Sequence, residues 1–213
     1  MDNEPKKIIV QKPKLPRKFD KSNKIEADTH YEQLELSDLS LNQQKASHIK
    51  LEQSQFKSVD LSGVEFKFFQ LVSVAITNSN IANAKWREAN ISRVTFTECR
   101  LTGFDIADGI LENVEFLNCK LNLANFRFAK LKKVRFENCD LTEADFLGAE
   151  LKNIDFSKCD LSKAQLANTK MGHVDFRTST IHGLKAQTDN LKGAIISPDQ
   201  AVDLVWLLGV KVI

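Results

Sequence analysis

No stretch of this sequence is apolar for long enough to cross a bilayer, which takes about 20 residues as a helix. Its first residues, MDNEPKK, lack the apolar core of a secretory signal. The expectation is a cytoplasmic protein with no membrane contact. The four histidines (His30, His48, His173, His182) stand at no metal-ligand spacing from one another or from a cysteine. No phosphate-binding glycine loop and no G-x-S-x-G element is present. Catalysis therefore has no motif, and the chain is expected to be no enzyme and to use no cofactor and no metal. The cysteines exclude a zinc site in another way. Cys99, Cys119, Cys139 and Cys159 lie twenty residues apart, unlike any C-x-x-C pair, and Ser79 and Ser179 continue the same series. That position calls for a small residue, so buried structural thiols are expected. Tyrosine occurs once against 14 phenylalanines, as in an interior that takes aromatic bulk but has no partner for a hydroxyl. Net charge is +2, so the whole molecule is neither a polyanion nor a strong polycation.

What the sequence does contain is a period of five. From Leu51 to Ile196 the frame never shifts. Between Ile91 and Phe156 it runs Ile91, Phe96, Leu101, Ile106, Leu111, Phe116, Leu121, Phe126, Leu131, Phe136, Leu141, Phe146, Leu151, Phe156. Two places before each of these sits a small or β-branched residue, such as Val94, Cys99, Ala124 or Ala144. Five matches neither the helix period of about 3.6 nor the strand period of about 2. It points to an internal repeat. A second period, of twenty, sits on the first: the cysteines follow it, as do Phe96, Phe116, Phe136, Phe156 and Phe176. Coils of four pentapeptides would stack these residues into ladders at the inter-strand spacing of about 4.8 Å.

The segments CDLTEADFLGAELKNIDF (139–156) and CDLSKAQL (159–166) resemble the pentapeptide-repeat family, in which A-(D/N)-L-x-x recurs. The resemblance implies an all-β fold: a right-handed quadrilateral parallel β-helix. Residues 31–196 would form it. Asp60, Asn80, Asn90, Asp140 and Asp160 each precede a central apolar residue, where an Asx side chain can bond nearby backbone. Gly63, Gly103 and Gly183 share one corner column with Asn83, and these residues tolerate positive φ. Leu123, Glu143 and Lys163 occupy the same column, so the coils are not expected to share one turn.

The two ends differ from the middle. Residues 1–25 hold three of the four prolines and eight cations against three acids, and are expected to be a disordered basic tail. Residues 197–213 are expected to close the other end. Ser197-Pro198-Asp199-Gln200 reads as a helix start with a capping box, and Gly209 as its stop. Trp206 and Leu207 lie off the helix's apolar stripe, which makes them candidates for a homodimer contact through the cap.

Function must then lie on outward residues. From 51 to 190 there are 18 cations and 18 acids. One wall concentrates Lys130, Lys132, Lys133 and Lys152, and the neighbouring positions carry the outward apolar residues Phe128, Leu147 and Leu123. These seven residues are the candidate partner-binding surface. The leading expectation is a non-enzymatic interaction scaffold presenting a rigid wall to an unknown protein partner. The resemblance also implies an alternative, since some family members mimic DNA and modulate type II topoisomerases, inhibiting gyrase or protecting it from quinolones or toxins. Balanced charge and the absence of loops interrupting the frame disfavour that role. Nucleic acid is not expected as a partner beyond a weak contact through the basic tail.

Overall fold

The computed structural model describes residues 8–171 and 173–210. Its short strands come first: β1 (Asp20–Lys21), β2 (His30–Glu32), β3 (Leu34–Ser37), β4 (Lys45–Ser47), β5 (Lys50–Glu52), β6 (Gln55–Lys57) and β7 (Glu65–Lys67). Five eight-residue strands follow on one wall: β8 (Gln70–Thr77), β9 (Asn90–Thr97), β10 (Ile110–Leu117), β11 (Lys130–Glu137) and β12 (Glu150–Ser157), then β13 (Lys170–Met171). Every pairing is parallel, and from β2 onward every register step is twenty residues, as in Leu111↔Leu131 and Phe116↔Phe136. The architecture is a right-handed quadrilateral β-helix closed by a short helix, α1 (Pro198–Val205).

The interior follows from the two periods. Phe96, Phe116, Phe136, Phe156 and Phe176 stack nearly parallel, with successive centroids 4.8, 4.9, 5.2 and 6.0 Å apart. Phe126 and Phe146 form a second stack at 4.7 Å and meet the first edge-to-face. Coil spacing places the rings at the distance aromatic pairs favour. The cysteines lie in the same core, at most 3% exposed, each with Sγ donating to a main-chain carbonyl. The neighbouring Cys139 thiol, and then burial, push Cys119 up to about 12, and Cys99 is raised too. They are the structural thiols the spacing predicts.

The corners correct one expectation. Leu123, Glu143 and Lys163 adopt φ of 61°, 57° and 59°, the same left-handed conformation as Gly63, Gly103, Gly183 and Asn83. Positive φ recurs at almost every fifth residue, whatever its type. The left-handed region disfavours an L-residue by about 1–2 kcal/mol. The coil hydrogen bonds offset this: Leu123 N donates to Thr142 O at 3.0 Å, and Ala124 N closes the turn onto Leu121 O at 3.0 Å. A carboxylate or amide often supports the turn. Asp60, Asn80, Asp140 and Asp160 accept from the backbone N–H two residues on, as predicted, whereas Asn90 begins β9.

The expected tail is a second correction. Residues 8–25 are not a free extension. Asp20 and Lys21 pair with Leu34 and Glu35 in an incomplete first turn, and Ile25 is 2% exposed at the end of the core. A segment too polar to bury itself can still be held by the hydrogen bonds and apolar surface that an open coil edge offers.

At the other end Ser197 Oγ accepts from Gln200 N, and Ser197 N donates to the Gln200 side chain at 2.9 Å, the capping box predicted. Gln200 Nε2 also donates to Phe176 O and Ser179 O at 2.7 and 2.6 Å. One side chain thus starts the helix and ties it to the last coil. A 3-10 turn, Trp206–Leu208, continues from the helix and is stopped by Gly209 at φ 72°. The final residues of the 197–213 segment, 211–213, lie outside the described residues.

Candidate interaction surface

The repeat decides which side chains are free to act. Central and preceding small residues fill the core, so function falls to the corners and to the outward strand positions. Phe128 stands at a corner, φ 57° and 55% exposed, with the Arg127 guanidinium 5.9 Å from the ring centroid. Leu123 stands at the previous corner, 56% exposed. Leu147, between corners, is half-buried and offers less apolar surface than its outward register suggests.

Lys130 and Lys132 project from β11 and Lys152 from β12, all exposed; Lys133 is half-buried at the bend within β11. Register brings Lys132 beside Lys152 on one side and Glu112 on the other. Lys132 Nζ lies 2.7 Å from Glu112, and holds that carboxyl below the usual carboxylate range. Lys130 stacks between Ile110 and Glu150. The basic stripe is therefore interrupted by acids along the rod axis, and its field is weaker than the sequence clustering suggests. Phe128 and Lys130 are neighbours around one corner. Leu123 is separated from them by a full side of the coil. Of the four lysines only Lys130 follows directly on the Phe128 corner, and Leu123 stands apart.

Two features escaped the sequence reading. Phe68 shares the corner column of Phe128 three turns earlier; it is 57% exposed and stacks on His48 at 4.6 Å. Its sixty-residue offset from Phe128, a multiple of twenty, was the available signal. The other is an ion triad on the long-strand wall. Arg135 Nη1 lies 2.8 Å from Glu115 and its Nε 3.1 Å from Asp155, with Glu115 only 2% exposed. The alternation of acid, base and acid at twenty-residue steps was readable; its burial was not.

The cap carries Trp206, 49% exposed, while Leu207 is half-buried and less available for a dimer contact. Among the described residues no group of His, Cys, Asp and Glu could hold a metal ion, and no helix is long and apolar enough to cross a membrane.

Comparison with known proteins agrees with this geometry. The family model described as the pentapeptide repeat region matches residues 49–126 and 129–196. No curated protein sequence matches the chain. Among solved structures, HetL, a pentapeptide repeat protein involved in heterocyst differentiation regulation from the cyanobacterium Nostoc sp. strain PCC 7120, is 20% identical over 80% of this chain and 90% of its own, with a TM-score of 0.37. Full-length QnrB1, a plasmid-mediated fluoroquinolone resistance protein, is 14% identical over 90% of this chain and 95% of its own, TM-score 0.32. A protein of the Arabidopsis thaliana thylakoid lumen is 31% identical over 53% of this chain and 72% of its own, TM-score 0.24. With its five-residue frame, twenty-residue coils and family match, the chain belongs to the pentapeptide-repeat proteins.

Proposed function

We propose that this protein is a non-enzymatic interaction scaffold whose rigid outer wall binds a protein partner. The observation that carries this reading is the corner at Phe128, where an exposed aromatic ring adjoins the exposed cation Lys130. Aromatic residues and arginine are enriched at partner contacts, and here Arg127 lies 5.9 Å from the exposed Phe128 ring; the family's members are generally structural or interaction proteins rather than enzymes. Phe68 occupies the same column three coils earlier as a separate exposed aromatic, with Glu88 and Asp108 at the corners between. Affinity capture from native lysate, with wild type beside Phe128→Ser/Lys132→Glu/Lys133→Glu, tests it. Loss of a captured protein from the variant supports the surface; identical capture removes it.

Duplex mimicry remains the competing reading. It needs a continuous negative face. Here acids and bases alternate along the walls, as in Glu112–Lys132 and Glu115–Arg135–Asp155. Dose-dependent inhibition or protection of gyrase supercoiling would reverse the order of the two readings. A homodimer through Trp206 is a separate proposal, checked by light scattering, where a monomer at high concentration excludes it.

A further inference from the structure

Between residues 10 and 19 burial recurs every third position. Val10, Pro13, Pro16 and Phe19 are half-buried, and the residues between them are exposed. Three residues per turn is the period of polyproline II, which the two prolines favour. The segment crosses the coils instead of following them. Ile8 O accepts from the Arg135 guanidinium, and Gln11 N donates to Asn113 Oδ1 at 3.2 Å. Gln11 and Lys14 then line a crevice of about 420 Å³ with Glu32, Glu52, Ser73 and Arg93. Asp20 finally joins the first turn beside Leu34. The segment is a strap over the long-strand wall.

The wall it crosses is polar. Ser73, Asn113, Glu115 and Arg135 are all buried there, although each occupies an outward or bend position of its strand. One oxygen of Glu115, Oε2, has no hydrogen-bond partner. A permanently closed interface gains more from packed apolar residues than from desolvated ion pairs. Charges kept in register beneath the strap suit a face that also meets water. Charge complementarity agrees where the strap crosses the crevice: Lys14 lines it with the acids Glu32 and Glu52.

We propose that residues 8–19 are a displaceable strap, filling in cis a docking wall for a partner segment of the same chemistry. That segment is extended, cationic and of polyproline type, with an apolar residue at every third position and a main-chain carbonyl for Arg135. This deepens the scaffold reading and rests on it, but its test uses a synthetic probe and no lysate, so either can fail alone.

The probe is a fluorescein-labelled peptide of residues 8–19, read by anisotropy against full-length proteins. Gln11→Cys/Asn113→Cys locks the strap when oxidised and frees it when reduced; the native thiols are buried and do not compete. Val10→Asp/Pro13→Asp/Pro16→Asp releases it. The tethered strap competes at an effective concentration of about millimolar, so wild type binds the peptide weakly. The released variant binds at least about tenfold more tightly, as expected when that competition is removed. The oxidised protein does not bind, and reduction restores binding. Equal binding by oxidised and reduced protein overturns the proposal. So does absent binding to a released variant whose β-sheet circular dichroism is intact, or failure of the disulfide to form.

Discussion

The ring of Phe128 lies over Gly148, one coil further along: a β-carbon built on Gly148 would stand 2.5 Å from both Cδ1 and Cε1 of the ring. Gly148 also has φ of 69°. The exposed aromatic at the candidate surface is therefore seated on a glycine. Gly148→Ala should displace the ring and strain the corner, destabilising the protein by about 2–3 kcal/mol, the sum of left-handed strain and an overpacked contact. Phe128→Ala in the same chain should recover the contact part. A double-mutant cycle on thermal melts reads this as non-additivity; additive losses would show that the two residues do not touch.

Corner strain makes a prediction of the opposite sign. Leu123 and Lys133 hold φ of 61° and 54° without being glycine. Leu123→Gly should raise stability by about 1 kcal/mol, a rise of roughly 2–4 °C in Tm for a chain of this size. Leu123→Val should lower it, because a β-branched residue is the least tolerant of positive φ. Melting curves of the two variants on either side of wild type are the expected result.

Burial separates the two arginine and lysine ion pairs. Arg135 is buried between Glu115 and Asp155, whereas Lys132 and Glu112 are about half exposed. Arg135→Ala leaves two carboxylates without their cation and should cost about 3–5 kcal/mol. Lys132→Ala should cost at most about 1 kcal/mol. Urea denaturation of both variants checks the ratio; comparable losses would mean that the triad is solvated.

The acid side of the stability profile should depend on Asp175. Arg177 holds its carboxyl below the ordinary value, with its bond to the Arg177 guanidinium the leading cause. A depressed carboxylate stabilises the fold fully above its unfolded value near 3.8 and loses that contribution as pH falls through the lower folded value. Asp175→Asn should thus flatten part of the stability decline below about pH 4. Stability of both proteins from pH 2 to 7 measures it.

The thiols supply a test of the core. With Cys119 and Cys139 pushed up to about 12 and all four buried, iodoacetamide at pH 8 should modify none in the folded protein and all four in denaturant.

The interior of this protein was readable from residues alone because each coil meets the same neighbours. Phe116 packs on Phe96 and Phe136, so one local rule repeats twenty residues later. The helix start at Ser197 was equally local, written in four consecutive residues. The surface was less legible. Leu123, Glu143 and Lys163 share a glycine's conformation because coil hydrogen bonds hold them there, which residue type does not reveal.

Sequence by itself determined the periods, and through them the ladder, the core and the columns in which Phe68, Phe128 and the lysines stand. Tertiary structure alone decided how residues 8–19 lie. Gln11 meets Asn113 across 102 residues, and Ile8 meets Arg135 across 127. Neither separation is a multiple of the repeat. A contact of that kind is made once, between a segment outside the periodic frame and a wall inside it, so no recurring pattern in the chain could announce it.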